Sequence, residues 1–528
     1  MVSIDDLFDK WAKEEETKLS RRKINKKEEA GAKRTYLHFD LRRPKSSLFS
    51  LKNEFIDPNK ISSHGYWPFL KMTIKTPRIR DVKESSIGKF KNRKRRKETK
   101  DRDVYYASHY DALVYSWYSF LLNNYYEDEL RSLGINNCVI AYRKIPTNVT
   151  GKRNKSSINF AFEVFNFIKN KGECAVIVSD ITKFFDSLDH LILKKEWIRV
   201  IGLGENQKLP KDHYSVYKNL TKFKFVDAQE VFDKANIKFK KIVDKEDKYN
   251  IKVFKAPFRN GERIVKICDN RQDFLNLIVK GGLIKGNQNK NALTGSKRRG
   301  QTCGIMQGAP ISATLANVYM LNFDKEINDY VEKNGGLYRR YSDDLIIVCG
   351  VNDYQDAAKL MYEKIRNYEL EINPKKTCIT LFLKDHKGLI RGFDEKYLKP
   401  ENKNNALLLY KNMQYLGLEF NGKNVFLRSS SIAKYYRKMK SKIRKSVNMS
   451  FGKRSKTKNN NNRVFTKILF KKYLHKGRRS FISYAYRAID IGLKIFGTDA
   501  IKKQLSKRQA IMSDEINRRV VMRKRRRS

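Results

Sequence analysis

The chain has 528 residues, and its 113 lysines and arginines against 57 aspartates and glutamates give a formal net charge of +56. A protein this basic repels itself unless a polyanion neutralises it, so the charge indicates nucleic acid as the main partner. The six cysteines include no CxxC pair and the seven histidines no HExxH motif, which argues against a disulfide framework and a zinc hydrolase. The sequence contains no run of eighteen apolar residues and no signal or lipidation motif, so we expect no membrane association.

The N-terminal part of the chain is predicted to contain an amphipathic helix, a basic arm and a second helix. Residues 1 to about 30 have an amphipathic pattern, and the basic segment 83–103, which contains KFKNRKRRKETK, is predicted to be an exposed loop or arm. Residues 104–133 carry aromatic and aliphatic residues three and four positions apart, which indicates a helix whose aromatic side chains lie in the core.

Strands and helices alternate irregularly through the rest of the chain. Residues 172–200 are predicted to form a strand, a loop and a helix, and YRRYSDDLIIVCG two strands around a turn. Helices are predicted over 310–333 and 353–369. From residue 431 onward the pattern is helical, with 31 lysines and arginines against four acidic residues. This irregular alternation favours an α+β fold over a doubly wound sheet.

Three aspartates stand at the ends of two apolar strands. Asp343 and Asp344 precede the run LIIV, and Asp180 ends the run VIVSD. If these strands are neighbours in one sheet, Asp180 and Asp343 meet at their ends, where clustered carboxylates repel and raise one another's pKa values. Mg²⁺ removes that penalty, because it prefers oxygen ligands and leaves positions open for substrate phosphates. The alternative is an ordinary turn whose acidic pair is neutralised by the neighbouring Arg339 and Arg340.

Five ordered motifs between about residues 174 and 425 resemble those of reverse transcriptases. SDITKFFDSLDH, MQGAPISATLANVYM and YSDD resemble the palm motifs, and NPKKT and QYLGLEF resemble the two elements that follow them. The resemblance implies a right-hand polymerase fold with a basic helical C-terminal extension. The implied domains are an N-terminal extension with a basic arm at 1–103, fingers at 104–172, a palm at 173–425 with an insertion at about 200–300, and a helical thumb with a basic RNA-binding region at 426–528.

The resemblance also implies a catalytic centre. Asp180, Asp343 and Asp344 fall on the catalytic positions of the family, with Asp343 expected to matter more than Asp344. Together with the backbone of Ile181 they would hold two Mg²⁺ ions, for which Mn²⁺ can substitute. Two such ions bind both the attacking and the leaving oxygen of a phosphoryl transfer.

Further residues match positions that contact the incoming nucleotide in this family. Phe185 falls on the aromatic steric gate, whose ring would collide with a 2′-hydroxyl and so favour dNTPs; the alternative is a core aromatic residue. Gln307 would contact the nucleotide sugar, and Gly308 would allow the backbone to approach substrate or template closely. The candidates for contacts with the triphosphate and the leaving pyrophosphate are Arg143, Lys144 and Lys376, with Lys375 as the alternative to Lys376.

The remaining assigned positions concern nucleic acid and local structure. Leu416 and Gly417 in QYLGLEF resemble the primer grip. Asp186 and Asp189, which follow the gate residue, are expected to be structural or capping residues. The basic positions predicted to bind nucleic acid, chiefly through its phosphates, are Arg93, Lys94, Arg95, Arg96, Arg478 and Arg479.

Segments outside the palm motifs point to a branch of the family. HFDLRRP and LPKDHYSVYKNLTKF resemble bacterial abortive-infection and unknown-group reverse transcriptases, which are associated with antiphage defence, and the NAxxH element of retron enzymes is absent. The resemblance therefore implies an RNA-directed DNA polymerase of the bacterial cytoplasm that uses dNTPs to copy a partner noncoding RNA, its template or scaffold, into a DNA product. The alternatives are untemplated or protein-primed DNA synthesis, and a structural, maturase-like RNA-binding protein. The sequence leaves open whether the protein forms a homo-oligomer.

Overall fold

The protein divides into two compact units, each assembled from separate segments of the chain. The computed structural model describes residues 3–24, 36–41, 48–81, 95–147, 153–204, 206–247, 250–395, 410–451, 464–475, 477 and 480–525. The first unit comprises Met1–Asn136, Ile181–Lys325 and Lys364–Glu371. The second comprises Asn137–Asp180, Glu326–Glu363 and Ile372–Ser528.

The α-helices of these ranges account for most of the described residues from Ser429 onward. They are α1 (Ile4–Ile24), α2 (Lys52–Phe55), α3 (Pro58–Ser62), α4 (His109–Ser132), α5 (Ser157–Lys171), α6 (Phe184–Ser187), α7 (His190–Val200), α8 (Lys211–Thr221), α9 (Ala228–Lys234), α10 (Arg271–Phe274), α11 (Ser312–Tyr319), α12 (Leu321–Lys333), α13 (Tyr354–Asn367), α14 (Ser429–Ser450), α15 (Thr466–Tyr473), α16 (Phe481–Phe496), α17 (Ala500–Leu505) and α18 (Arg508–Arg525). None of them combines the length and the apolar character that a bilayer span requires.

The strands of the described ranges form four sheets. They are β1 (Phe69–Asp81), β2 (Arg95–Tyr106), β3 (Cys174–Asp180), β4 (Lys224–Asp227), β5 (Lys238–Asp247), β6 (Asn250–Arg259), β7 (Glu262–Arg263), β8 (Lys285–Gly286), β9 (Leu337–Tyr341), β10 (Asp344–Cys349), β11 (Cys378–Lys384), β12 (Ile390–Asp394), β13 (Met413–Tyr415), β14 (Leu418–Phe420) and β15 (Val425–Leu427). The strand orders are β2-β1-β4-β8 and β5-β6-β7 in the first unit, and β12-β11-β3-β10-β9 and β13-β14-β15 in the second.

The five-stranded sheet of the second unit has β3 at its centre, antiparallel to both β10 and β11. The segment Cys174–Ile177 is completely buried, which agrees with the continuous apolar run of its sequence. Val176, Ile346 and Phe382 from this sheet lie in one core with residues of α5, α14 and α16. Because a shift of one residue would turn the apolar side chains of β3 to its other face, this packing fixes the register.

A long antiparallel ribbon of β1 and β2 dominates the sheet of the first unit. Its register runs without interruption from the Leu70–Tyr106 pair to the Asp81–Arg95 pair, and β1 also pairs in parallel with β4. A separate core in this unit joins residues of β1, β4 and α9, among them Leu70, Val226 and Val231.

The mixture of helices and mainly antiparallel sheets confirms the α+β class, but three local predictions differ from the structure. Residues 95–103 form most of β2 rather than a loop, because their pairing with β1 is a long-range interaction that their basic composition does not show. The predicted helix over 104–133 begins only at His109, where the Ser108 side chain caps α4 by accepting a hydrogen bond from the Asp111 amide at 3.1 Å. The predicted helix over 310–333 is interrupted at Met320 and forms α11 and α12.

Candidate active site

Two neighbouring strands of the second unit bring Asp180 and Asp344 side by side. Asp180 is the last residue of β3, Asp344 is the first residue of β10, and the two are direct register partners. Residues opposite each other on antiparallel strands have Cβ atoms about 4.5–5.5 Å apart, so like charges there repel. The expected meeting of the two strand ends is therefore found, but Asp344 rather than Asp343 stands opposite Asp180.

Asp343 lies in the two-residue turn between β9 and β10. The first turn residue, Ser342, has φ of 62°, a conformation typical of tight hairpin turns. The Ser342 hydroxyl is 3.1 Å from the hydroxyl of Tyr142, and its carbonyl accepts a hydrogen bond from Arg340 Nη1 at 3.3 Å. Arg340 is fully buried, so it supports the turn from inside the protein.

The backbone of Arg340 is also held in place. Its amide donates to the Cys138 carbonyl at 2.8 Å, and its carbonyl accepts from the Ile140 amide at 3.0 Å. Arg339 Nη1 donates to the Tyr338 carbonyl at 2.7 Å. These arginine contacts go to backbone carbonyls, so both guanidinium groups help to hold the backbone of the hairpin.

The electrostatic environment of Asp344 disfavours its charged form. Burial, together with the neighbouring carboxylates of Asp343 and Asp180, raises the pKa of the Asp344 carboxyl to about 6, against the opposing effect of Lys376 and Arg428. When the Asp344 carboxyl is ionised, the surrounding protein therefore does not fully compensate its negative charge.

Lys376 is the cation held against this group. Its Nζ lies 2.5 Å from Asp180 Oδ2. The loop that carries it is anchored at Asn373, whose amide donates to the Asp180 carbonyl at 2.8 Å and whose own carbonyl accepts from the Lys376 amide at 3.0 Å. Of the two lysines in the NPKKT motif, the structure thus places Lys376 against the aspartates; the amide of Lys375 bonds to Asn373 Oδ1 at 3.1 Å.

The aspartates fit a divalent cation by their chemistry, although the site is not preassembled. Within the described ranges, no group of three or more His, Cys, Asp or Glu side chains is already arranged to hold a metal ion. One oxygen of Asp180 is instead paired with Lys376. Carboxylate oxygens are nevertheless the ligands that Mg²⁺ prefers, and the raised pKa of Asp344 shows that negative charge here lacks compensation.

This crowding leads to a prediction for stability. The pKa of Asp344 is higher in the folded protein, about 6, than its ordinary value of 3.8, so the folded state binds more protons and stability falls as pH rises from about 4 to about 6. Asp344→Asn should therefore raise the free energy of unfolding at pH 7.5 in EDTA, by at most about 3 kcal/mol. Urea unfolding at pH 7.5 and at pH 4 measures this, and the gain should vanish at the lower pH.

The control is Asp490→Asn, which removes an exposed charge on α16 and should leave stability nearly unchanged. Equal stability of Asp344→Asn and the parent protein at pH 7.5 would show that Asp344 carries no electrostatic penalty.

The first unit brings three of the predicted nucleotide-binding residues to one loop region. Phe185 is half-buried in α6, and its carbonyl accepts a hydrogen bond from the Ile305 amide at 2.8 Å. The carbonyl of Gln307 accepts from the Tyr105 amide at 2.7 Å. Gly308 follows with φ of 119°, and a Cβ atom built on it would lie 2.4 Å from the Tyr105 carbonyl oxygen. Gly308 thus lies in close contact with strand β2 of the same unit, while its predicted approach to substrate or template stays a prediction.

Tyr105 is a residue that the sequence did not reveal. Helical spacing placed it among core aromatics, whereas the structure places it on β2 beside Gln307 and Gly308. Burial, together with the charges of Asp103 and Asp186, raises the pKa of Tyr105 to about 12, so its hydroxyl stays protonated. Only the long-range pairing of β2 with β1 could have identified it.

The predicted capping role of Asp189 is observed. Its Oδ1 accepts hydrogen bonds from the amides of Leu191 and Ile192, each at 2.9 Å, at the start of α7. It also forms an ion pair with Arg298. Burial raises the pKa of Asp186, and the charge of Lys183 opposes this shift.

The other assigned residues lie in separate places. Arg143 Nη1 donates to the Val139 carbonyl at 2.6 Å, and Lys144 is exposed. Leu416 and Gly417 form the two-residue turn between β13 and β14, with φ of 44° and 88°. Ile181 is buried. Of the basic positions, Arg95 and Arg96 belong to β2 by their backbone, whereas Arg93, Lys94, Arg478 and Arg479 lie outside the described residues.

Comparison with known proteins supports the interpretation of these motifs. Residues 218–420 match the family model described as reverse transcriptase (RNA-dependent DNA polymerase). The matched segment includes Gln307, Gly308, Asp343, Asp344 and Lys376, and it begins after Asp180.

A curated relative shows a local match. The retron Ec86 reverse transcriptase of Escherichia coli is 37% identical over 77 residues, which are 14% of this chain and 24% of that protein. The chain thus matches about a quarter of the length of this relative.

Solved structures give a weaker likeness. An apo telomerase from Candida Tropicalis, truncated from its C-terminal domain, has a TM-score of 0.35 and 12% identity, with 66% of this chain and 57% of that chain covered. A telomerase from Candida albicans, in complex with a TWJ fragment of telomeric RNA, has a TM-score of 0.33 and 12% identity, with 85% and 66% covered. The match over residues 218–420 is the most specific of these findings: this segment is similar to the reverse transcriptase family.

Proposed function

We propose that this protein is an RNA-directed DNA polymerase with a right-hand fold, whose active centre is formed by Asp180, Asp343 and Asp344. The observation that carries this proposal is the pairing of Asp344 with Asp180 at the adjoining ends of β10 and β3. It is supported by the matched family segment, which contains the turn bearing Asp343.

In this proposal the three aspartates and the backbone of Ile181 hold divalent cations, with Mg²⁺ preferred and two ions expected. When bound, such ions activate the attacking hydroxyl and stabilise the charge of the leaving pyrophosphate. The protein holds Asp344 in surroundings that disfavour its charge, so cation binding and ionisation of Asp344 are linked. Lys376, already drawn to this site by Asp180, is placed to give a proton from Nζ to the pyrophosphate.

The proposed partner is a noncoding RNA, which serves as template or scaffold. The support is the charge of +56 and the 31 basic against four acidic residues from position 431 onward. Contacts of lysine and arginine with phosphates give strong, salt-sensitive affinity. We place the enzyme in the bacterial cytoplasm and in antiphage defence because of its resemblance to the abortive-infection and unknown groups; the local match to a retron enzyme leaves the branch to experiment.

Phe185 gives a prediction for nucleotide selection. If its half-buried ring is the steric gate, Phe185→Val should make room for a 2′-hydroxyl and raise the incorporation of rNTPs relative to dNTPs by about tenfold or more. Single-nucleotide extension with dCTP and CTP measures the ratio. The matched control is Phe184→Leu at the neighbouring buried ring, which should lower stability and leave the ratio unchanged. If the ratio of rNTP to dNTP incorporation is the same in Phe185→Val and in the parent protein, Phe185 is not the steric gate.

The proposed function is tested with a defined RNA template annealed to a DNA primer. Each dNTP is supplied alone with Mg²⁺, and only the nucleotide complementary to the next template base should be added. Addition of any dNTP regardless of template would favour the untemplated alternative. Binding of RNA without any extension would favour the structural, maturase-like alternative.

A further inference from the structure

A cavity of about 680 Å³ lies between α14, α15 and the start of α16 in the second unit. Gly417 and Leu427 also line it. Cavities of roughly 300–1,000 Å³ are the size that binds small organic ligands, and a nucleotide falls within that range. Gly417 is one of the two residues assigned to the primer grip, so the cavity borders that predicted site, but the proposed polymerase function assigns no ligand to the cavity itself.

Aromatic rings line the cavity and are held in fixed positions. Tyr435 stacks on Phe481 with ring centroids 4.9 Å apart and an interplanar angle of 25°. The Tyr435 hydroxyl donates to the Tyr473 carbonyl at 2.5 Å, and the Tyr473 hydroxyl donates to the Lys438 carbonyl at 3.1 Å. Phe481 and Tyr484 are only half-buried, so part of each ring is accessible. Such rings can stack on a nucleic-acid base of any sequence.

Lysines surround the same cavity. Four of them follow one another on one face of α14 at spacings of three or four residues, and one comes from α15: Lys434, Lys438, Lys442, Lys445 and Lys472. All five are exposed. No aspartate or glutamate of the described ranges lines the cavity, so positive charge accumulates there without an opposing carboxylate in the wall. Ammonium groups gathered in this way repel one another until an anion binds.

We propose that this cavity binds a single nucleotide, with its base against Phe481 and Tyr484 and its phosphate among the lysines of α14 and α15. The combination of apolar rings and uncompensated cations matches a ligand that has one aromatic and one anionic end. This inference goes beyond the proposed function, because the bound nucleotide is not the one being joined at the aspartates.

The nucleotide can be free or can be an unpaired member of an RNA strand, and the probe distinguishes the two. The full chain is titrated with a single-stranded RNA that carries one 2-aminopurine, and separately with 2-aminopurine riboside triphosphate. Stacking on an aromatic ring should quench the fluorescence in a saturable manner in at least one of these titrations. Quenching of the RNA alone identifies a strand, and quenching by the triphosphate identifies a free nucleotide. No saturable quenching in either titration would overturn the proposal.

Charge variants of α14 test the contribution of the lysines. Lys438→Gln combined with Lys442→Gln should weaken binding of the quenched probe about tenfold and reduce its salt dependence. The matched control, Arg437→Gln combined with Lys440→Gln, removes the same charge from exposed positions of α14 that do not line the cavity. If both pairs of substitutions weaken binding of the probe equally, the probe is attracted to the basic helix in general, and the proposed binding site in the cavity is wrong.

Ring variants test the contribution of stacking. Phe481→Leu keeps an apolar side chain but removes the ring, and it should weaken binding by about fivefold to a hundredfold and abolish the quenching. Tyr484→Leu should have the same effect, which keeps the test available if Phe481→Leu lowers the melting temperature. Full quenching in both folded variants would exclude stacking on these rings.

Discussion

Asp343→Asn is expected to reduce dNTP incorporation by about a thousandfold or more without unfolding the protein. Asparagine has the shape of aspartate and suits the two-residue turn between β9 and β10, so the hairpin should persist. The rate should fall because the variant binds divalent cations more weakly. Bound ions stabilise a transferring phosphoryl group by several kcal/mol. Initial rates on a primed RNA template measure the effect, and thermal melts verify the fold.

The matched control is Asp356→Asn, which removes an exposed aspartate of α13 and should leave the rate within about twofold of the parent protein. Asp344→Asn should reduce incorporation less than Asp343→Asn does, since Asp343 is expected to be the more critical ligand. If the Asp343→Asn protein keeps most of its rate, the turn that carries Asp343 is not part of the active centre.

Gly308→Ala is expected to cost about 2–4 kcal/mol of unfolding free energy and most of the polymerase activity. The added Cβ atom would stand 2.4 Å from the Tyr105 carbonyl oxygen and 2.9 Å from Val104 Cγ1. The carbonyl belongs to β2, which cannot move away without disturbing its pairing with β1. The φ of 119° adds backbone strain for any residue with a side chain. Urea unfolding and primer extension measure the two losses.

The control separates the collision from the strain. Gly300 lies in the same unit with φ of 81°, and a Cβ atom built on it meets nothing within 4 Å. Gly300→Ala should therefore cost only the strain, about 1 kcal/mol. If the two variants lose the same amount of stability, close contact with β2 is not what requires glycine at position 308.

The strands that carry the aspartates could be predicted because each is a short apolar run with an aspartate at one end. The predicted meeting of Asp343 with Asp180 is wrong by one residue, because the sequence pattern does not fix the register and a shift of one residue exchanges the two aspartates. The turn decides it: Ser342 adopts a positive φ, Asp343 stays in the turn, and β10 begins at Asp344. The sequence likewise left open which lysine of NPKKT lies near the aspartates, and in the structure it is Lys376 whose Nζ contacts Asp180.

Other features depend on contacts between segments that are distant in the chain. The basic arm looked like a loop because its composition lacks an apolar period, but pairing with β1 makes its second half a strand. Tyr105 has helical spacing from its neighbours and nevertheless lies on that strand, beside Gln307. The cavity lined by Phe481 and Lys438 requires three helices to pack together, which periodicity within one helix does not indicate.

Sequencing of the product tests most directly whether the protein copies RNA into DNA with Asp180, Asp343 and Asp344 as its active centre. The protein is purified with the RNA that accompanies it and is given all four dNTPs and Mg²⁺, with the Asp343→Asn protein in parallel. We expect labelled DNA complementary to a bound RNA from the parent protein and none from the variant. DNA without complementarity to any bound RNA, or equal product from both proteins, would contradict the account.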